Sequence, residues 1–411
     1  WREIRSNMER TESEAFLPDH QTLLRQGKLL LVEDLPPNAI VAYVCMERAG
    51  YKRSDPQAVR FEVLSDVFDK LEDGTIERVE TNTLHSLLYK QKRTVSKDVW
   101  TSVVPQLYVW FEWFSVPQPT MTDEAKHPSS SFHDKGERWW SREALESIRK
   151  DAIMSIPSYI ERSDLFVILA PGCVHRDRID LRTKRKKVLS YRTLRSDGAC
   201  AFDLACAFFS RHMQFPPLLV RSRTDAPEFI SPLDAQKLTV GTSHFDCCER
   251  NHVDEDGVTP LPCVKVLAAQ NLRKLIDKKV SNLFAEGDDE HTTLARLYEC
   301  NRHWFLRGLP DHDEEKGTKE EQGKKCDKEQ DDDSIISAFE KRLHWDHSFD
   351  KDWTDKTDVP LLFYAAMSDE LHVVRALLRR LQQRVHSDVD RAKIVNLHIR
   401  DRGFVELGIP G

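Results

Sequence analysis

Short, nearly continuous apolar runs alternate with amphipathic segments over the first half of the chain. Four of these runs have the length of strands, and they are 39–46, 107–115, 164–171 and 216–222. Apolar runs without polar alternation are typical of strands that are buried on both faces. Because helical segments separate the runs, the pattern predicts an α/β fold, with an open parallel sheet flanked by helices.

The segments between the predicted strands have helical spacing. In 55–74 apolar side chains recur every four residues, after an Asp-Pro start and before a terminal glycine. An amphipathic helix is predicted over 141–155, and it is expected to break at Pro157, which lacks the amide hydrogen of a helix interior. A third helix is predicted from Gly198 to about Met213.

The pattern changes after the last predicted strand. Residues 223–262 have no regular spacing, and two long amphipathic segments follow at 264–286 and 289–307. These two segments predict a helical hairpin. One more helix is predicted at 334–345.

Residues 359–381 read VPLLFYAAMSDELHVVRALLRRL, with apolar positions in helix–turn–helix order. This order resembles an ankyrin repeat, although Val359 and Leu362 replace the threonine and histidine of its T-P-L-H-x-A start. About three repeats are needed to bury a continuous face, so we expect the helical array to continue past residue 411.

The ankyrin resemblance implies that this part of the chain binds another protein. The residues assigned to that binding surface are Tyr364, Asp369 and Glu370.

The net charge of −7 is concentrated in one acidic tract. Residues 311–333 hold eleven acidic and five basic side chains, and they account for six of the seven negative charges. A tract of this composition cannot bury enough apolar surface to order itself, so it is predicted to be a disordered linker. The rest of the chain is nearly neutral and gives no reason to expect a nucleic-acid partner.

The chain has nine cysteines, an odd number without framework spacing. This pattern favours reduced thiols and a cytoplasmic location over a disulfide scaffold. No window approaches the ~18 apolar residues of a membrane helix, so no membrane partner is predicted. Because the sequence begins with Trp1, we expect it to be a fragment of a longer protein.

The order of strands and helices over 38–222 resembles that of Toll/interleukin-1 receptor (TIR) domains. In those domains a proline-containing loop follows the second strand, and a later helix carries a WCxxEL-type motif. Here FSVPQP follows the second predicted strand and GACAFDL begins the helix, with Ala199 for the motif tryptophan and Asp203 for the glutamate. Protist and fungal relatives mark the second strand with a W-[DE]-x-F/C-x-x-x-Q pattern. The matching residues are Trp110, Glu112, Phe114 and Gln118.

The TIR resemblance implies self-association through loop and helix surfaces. Some TIR relatives also cleave the nicotinamide–ribose bond of NAD with the motif glutamate, which makes Asp203 the first catalytic candidate. Its side chain is one methylene shorter, and a shift of about 1 Å can cost roughly 100-fold in rate. The alternative interpretation is that Asp203 offsets the dipole at the start of its helix.

Glu112 is the second catalytic candidate. Strand alternation over WFEWF would place its carboxylate within a buried strand, where a charge needs a partner. Arg48 follows the first strand at the same edge of the predicted sheet and is the expected partner.

A basic insert at 170–195 follows the third predicted strand at its carboxyl end, where open α/β sheets place ligands. Its arginines suggest an anion site for nucleotide phosphates or an acidic partner. The alternative is a solvated loop, which such charge runs commonly form. With Arg48, the candidate anion-binding residues are Arg176, Arg178, Arg192 and Arg195.

Cys247, Cys248, His252 and Cys263 lie close together in the sequence. Zinc needs four tetrahedral ligands, usually from spaced C-x₂₋₄-C pairs, and adjacent cysteines are expected to point to different sides. Buried thiols are therefore favoured, and no metal is predicted.

P-loop, dinucleotide-fold and α/β-hydrolase motifs are absent from the sequence. The predicted organisation is a lead-in at 1–37 with a short strand at 29–32, a TIR-like domain at 38–222, an irregular segment with a helical hairpin at 223–310, an acidic linker at 311–333 and ankyrin-like helices at 334–411. This organisation favours a signalling scaffold without a cofactor. The alternative is an enzyme that takes NAD as a substrate.

Overall fold

The computed structural model describes the ranges 8–10, 15–51, 53–90, 92–117, 142–180, 183–210, 213–231, 239–253, 261–310, 331–345 and 359–384, together with residues 2 and 5. The chain forms two compact units, Trp1–Asn271 and Leu272–Gly411. Gln118, most of the acidic tract (311–330) and the continuation of the ankyrin-like array (385–411) lie outside the described residues.

Strands of the first unit share one large mixed sheet and two small ones. In chain order they are β1 (Glu9–Arg10), β2 (Ala15–Phe16), β3 (Ile40–Cys45), β4 (Arg78–Thr81), β5 (Thr94–Ser96), β6 (Leu107–Phe111), β7 (Leu165–Leu169), β8 (Cys173–Ile179), β9 (Lys186–Leu189), β10 (Leu218–Val220) and β11 (Glu228–Phe229). The seven-stranded sheet has the order β5-β4-β11-β10-β7-β3-β6. Strands β6, β3, β7 and β10 are parallel, whereas β11 runs antiparallel to β10 and β5 antiparallel to β4.

The four parallel strands form a doubly wound core. Numbered by their occurrence in the chain, their order across the sheet is 2-1-3-4, with the direction of winding reversed between β3 and β7. Open sheets of this type bind ligands at the carboxyl ends of the strands, beside such a reversal. We therefore expect a ligand site among the residues that follow β3, β6 and β7.

Helices cover both faces of this core. In chain order the helices of the first unit are α1 (His20–Arg25), α2 (Val59–Glu72), α3 (Thr83–Tyr89), α4 (Lys97–Val103), α5 (Glu112–Ser115), α6 (Arg142–Glu161), α7 (Tyr191–Leu194), α8 (Gly198–Phe209), α9 (Asp246–Glu249) and the beginning of α10 (Val264–Glu286). Along β3, Ala42 and Val44 pack with apolar residues of α2, while Tyr43 and Cys45 face residues of α8. This alternation explains why the sequence of the strand is apolar at every position.

Several predicted elements end earlier or form differently. The second predicted strand (107–115) stops at Phe111, and residues Glu112–Ser115 turn into α5. The predicted strand at 29–32 is wrong, because 29–31 have no regular structure and Val32–Asp34 form a 3₁₀ turn. The third predicted helix ends at Phe209 instead of Met213.

Pro157 does not end the helix that contains it. Helix α6 continues from Arg142 through Pro157 to Glu161, so the predicted break is wrong. A proline removes one backbone hydrogen bond, and packing of the other turns holds the helix together. Ala152 and Ile160 are buried on this helix.

The described residues of the basic insert form two paired strands and the short helix α7 instead of a solvated loop. Strands β8 and β9 pair antiparallel, with an irregular register between Val174 and Ile179. His175 and Leu189 are buried on the hairpin, and buried side chains of this kind fix its position. The interpretation as a solvated loop was wrong, because the two strands are short and contain many charged residues, which are not typical of strands.

The second unit is helical. After the remainder of α10 it contains α11 (Asp289–Cys300), α12 (Arg302–Leu306), α13 (Asp332–Arg342), α14 (Leu361–Met367) and α15 (Leu371–Arg384). The predicted helix 289–307 is divided at Asn301, and α13 begins inside the predicted linker, with the side chain of Asp331 capping it. Helices α14 and α15 have the predicted helix–turn–helix order, while their assignment to an ankyrin array stays a prediction.

Candidate functional site

The first unit contains a cavity of about 150 Å³ at the carboxyl edge of its parallel strands. Strands β3 and β6 and helices α6 and α8 contribute to its walls, together with residues from 245–250 and 261–264. We call this space the carboxyl-edge cavity. The sequence candidates Arg48, Glu112 and Asp203 all line it, as does the aromatic ring of Tyr43. The structure therefore brings together three residues that lie far apart in the sequence.

Asp203 lies in the second turn of α8, beyond the first turn where an acid offsets the helix dipole most strongly. Its carboxyl group lies close to the side chains of Tyr43 and Cys45, both on β3, and interaction with them partly offsets the effect of burial. Burial raises the pKa of Asp203 well above its ordinary value, and the nearby Glu112 and Asp197 carboxylates raise it further. Asp203 is thus a sheltered acid at the cavity wall, which favours the site interpretation over the dipole interpretation.

Tyr43 occupies a rigid position near Asp203. Its ring stacks on Trp110 with centroids 4.5 Å apart and on Phe166 at 5.5 Å. Register explains this arrangement, because Tyr43 pairs with both residues across the parallel strands. Burial raises the pKa of the Tyr43 hydroxyl well above 10, and the nearby Asp203 raises it further, so the hydroxyl keeps its proton.

Glu112 is the first residue of α5, directly after β6. Its side chain is 49% exposed, so the expectation of a carboxylate inside a buried strand is wrong. The guanidinium of Arg48 lies 3.8 Å from its carboxylate, which is the pair expected from the sequence. Because the helical turn projects Glu112 away from the strand, its charge remains hydrated at the cavity.

Asp197 is an acid of the cavity that was not a sequence candidate. Its carboxylate caps α8 by accepting a hydrogen bond from the Cys200 amide at 3.0 Å. Burial, followed by the charge of Asp246, raises the pKa of Asp197 to about 7. The signal in the sequence was an aspartate directly before the glycine that begins a helix, which is a common cap.

The candidate anion cluster does not assemble at the cavity. Arg178 is bound to Asp246 and lies 2.6 Å from the Glu249 carboxylate, so its charge is already neutralised. Arg195 lies over the ring of Tyr191. Of the five arginines proposed from the sequence, only Arg48 lines the cavity, whereas Arg176 and Arg192 are exposed elsewhere. The prediction of one shared anion site is therefore wrong.

Two further arginines at the cavity were missed by the sequence reasoning. Arg149 on α6 and Arg250 after α9 both line it. The guanidinium of Arg250 lies 4.7 Å from the ring centroid of Tyr51, a cation–π distance. These bases come from segments with no basic run, so the sequence contained no signal for them.

Cys247, Cys248, His252 and Cys263 come together beside the cavity. The expectation that the adjacent cysteines diverge is wrong, because both lie in α9, where consecutive side chains are separated by about 100° instead of 180°. Cys247 is also part of the cavity wall.

The candidate protein-binding residues of the second unit have different environments. Tyr364 is fully buried against Trp345, with ring centroids 6.2 Å apart, so it is a core residue and its assignment to the surface is wrong. Asp369 is exposed in the turn between α14 and α15, where its φ is +57°. Glu370 forms an ion pair with Arg342.

Comparisons with protein families, curated proteins and solved structures find no match to this chain. Among the helices that the structure describes, none is both long and apolar enough to cross a membrane.

Proposed function

We propose that the first unit binds a nucleotide with its N-glycosidic end in the carboxyl-edge cavity, where that bond is hydrolysed, and that NAD is the first substrate to test. The convergence of Asp203, Glu112 and Arg48 on one cavity at the reversal point of a doubly wound sheet supports this function. This geometry favours the enzymatic alternative over the scaffold as the main function of the first unit.

A partly buried acid such as Asp203 suits a ligand that carries positive charge. Ionisation of Asp203 is opposed by burial and by neighbouring carboxylates, and a cation placed beside it would offset that cost. NAD carries its positive charge on the nicotinamide ring, next to the bond that breaks. Arg48 and Arg250 line the same cavity and are suited to the phosphates.

The proposed reaction breaks the bond between ribose and nicotinamide. The electron pair of that bond leaves with the ring nitrogen, which becomes neutral, and positive charge develops on the ribosyl group. The ionised carboxylates stabilise that charge. Water then adds to the sugar carbon, and Glu112, which is accessible at the cavity, accepts its proton.

The test is incubation of the full chain with NAD and chromatographic measurement of free nicotinamide. Asp203→Asn should abolish release, while the exposed control Asp225→Asn should leave it unchanged. Equal release by wild type and Asp203→Asn would contradict the assignment of Asp203. An NAD-dependent rise in Tm without release of nicotinamide would contradict hydrolysis and support binding alone.

A second candidate function is self-association of the chain. Leu84, Leu87 and Leu88 project from α3 at helical spacing, and Leu87 is 73% exposed. An ordered helix that presents three adjacent leucines to solvent is typical of an interaction surface. We propose a second copy of this chain as the occupant, in agreement with the self-association that the TIR resemblance implies. Partner binding through α14 and α15 stays a prediction.

A further inference from the structure

We infer that Cys247, Cys248, His252 and Cys263 form a structural zinc site that fixes one wall of the carboxyl-edge cavity. Each residue offers one ligand atom, and these four atoms all lie within 4.8 Å of one another. Three thiolates and one imidazole are a ligand set typical of structural zinc. The inference does not depend on which ligand the cavity binds.

The distances between the sulfur atoms match those of ligands that share one ion. The Sγ atoms of Cys247 and Cys248 are 3.9 Å apart, and those of Cys248 and Cys263 are 3.8 Å apart. A tetrahedral zinc ion with Zn–S bonds of about 2.3 Å separates its sulfur ligands by about 3.8 Å. A disulfide would bring them to about 2.05 Å, so these thiols are not bridged.

The backbone around α9 is shaped to bring His252 back to the cysteines. Asn251 and His252 have φ values of +53° and +59°, an uncommon conformation for two consecutive residues with side chains. The His252 amide donates to the Cys247 carbonyl at 2.7 Å, and the Leu261 amide donates to the His252 carbonyl at 2.7 Å. These bonds close the turn and bring the start of α10 alongside it.

A backbone amide already points at one of the proposed ligands. The N–H of Val264 donates to the Cys247 sulfur, with the nitrogen 3.3 Å from Sγ. Such N–H···S bonds stabilise metal-bound thiolates and orient them. Cys247 is buried, while Cys248, His252 and Cys263 are partly accessible, so an ion has a route to the site.

The site would join two segments that border the cavity. Phe245 and Asp246 directly precede Cys247 in the sequence, Leu261 and Val264 lie on either side of Cys263, and all four line the cavity. An ion held by Cys247 and Cys263 would tie these segments together. With four protein ligands no coordination position remains for a substrate, which defines a structural and not a catalytic zinc.

The first experiment is elemental analysis of the full chain, expressed with added zinc and purified without chelators. We expect one zinc per chain in the wild type and near-complete loss of zinc in the Cys248→Ser/Cys263→Ser double variant. Cys173→Ser is the matched control, since Cys173 is equally accessible but lies outside the cluster. Circular dichroism of each protein establishes that it is folded.

Two measurements on the wild type avoid any dependence on variants. A mercurial thiol reagent should release zinc in proportion to the thiols it modifies, and cobalt(II) in place of zinc should show the visible absorption of a tetrahedral thiolate site. A folded wild-type chain that holds no zinc would overturn the inference. Full zinc content in the double variant would also overturn it, because the ion would then lie elsewhere.

Discussion

The ring of Phe245 lies against Gly198 so closely that a Cβ at this position would be 2.5 Å from the ring carbons. The amide of Gly198 also donates to the carbonyl of His244 at 2.6 Å. These contacts seat the segment that carries Phe245 on the first turn of α8. Because Phe245 and Asp197 both line the cavity, this close approach sets the shape of one of its corners.

Gly198→Ala should therefore destabilise the first unit. The added methyl group must displace a buried ring, and overpacking of this kind typically costs about 1–3 kcal/mol. Urea unfolding, fitted with one common dependence of free energy on urea concentration, measures the change in the free energy of unfolding. Gly172→Ala is the control, because nothing lies within 4 Å of its Cβ position and its φ is not positive. Equal stability of the two variants would show that Phe245 moves aside without cost.

Asp203→Asn should raise stability at alkaline pH although it removes the proposed activity. The folded chain holds the proton of Asp203 more tightly than the unfolded chain, because its folded pKa is raised. The carboxyl therefore contributes less stability as pH rises above its unfolded pKa of about 3.9. The neutral amide removes this dependence.

The measurement for this variant is Tm from pH 4 to pH 8. We expect the Tm of Asp203→Asn to exceed that of wild type most at pH 8, and the difference to shrink toward pH 4. Asp225→Asn provides the baseline for loss of an exposed charge. A difference independent of pH would mean that Asp203 ionises normally in the folded chain.

His175 should make the hairpin of β8 and β9 sensitive to acid. Its Nδ1 accepts hydrogen bonds from the amides of Asp177 and Arg178 at 3.0 and 2.9 Å, which requires the neutral ring. Burial and the charge of Arg178 lower the pKa of His175 to about 4. Between pH 6.5 and pH 4, His175 is protonated in the unfolded chain but remains neutral in the folded chain. The free energy of unfolding therefore falls as pH falls.

The loss attributable to His175 is at most about 3 kcal/mol over that interval, and it is complete below pH 4. His175→Asn keeps an acceptor near the Nδ1 position and cannot take up a proton, so its stability should fall less steeply with acid. Denaturant unfolding at pH 7, 6, 5 and 4 compares the two slopes. If the free energy of unfolding fell equally with pH in wild type and His175→Asn, residues other than His175 would cause the acid sensitivity.

Leu87→Glu should weaken self-association. If α3 forms an interface between two copies, an unpaired carboxylate there should lower the association constant by at least about tenfold, or about 1.4 kcal/mol. Sedimentation velocity over a concentration series measures it. Leu371→Glu places the same charge on an exposed leucine of the second unit and should have no effect. A wild-type chain that stays monomeric throughout would rule out this interface.

The parallel core could be predicted because its strands are apolar on both faces. The sequence of β7 has five consecutive buried residues, and such a run has few alternatives to a central strand. The strands β4, β5 and β11 were missed, since they contain two to four residues and mix polar with apolar side chains. Their pairing depends on neighbouring strands and not on any local pattern.

The position of the cavity could be predicted in part, because it depends on the order of the parallel strands. Arg48 and Glu112 follow parallel strands, whose carboxyl ends must lie at one edge, so their proximity follows from strand order alone. Asp203 required the helix motif of the TIR resemblance. The sequence led us to expect adjacent cysteines to point to different sides, whereas a four-residue helix and two residues with positive φ bring the cluster together. Short local turns of this kind are the least visible feature of a sequence.

The residues around the carboxyl-edge cavity extend along the chain from Tyr43 to Val264. During synthesis, the strands that form its floor leave the ribosome long before α9 and α10, which complete its side. A chain whose synthesis stops before α9 would therefore contain Glu112 and Asp203 but lack the residues of α9 and α10 that cover one side of the cavity. The cavity is complete only when translation has passed Val264, so any molecule that binds there would stabilise the chain only from that point on.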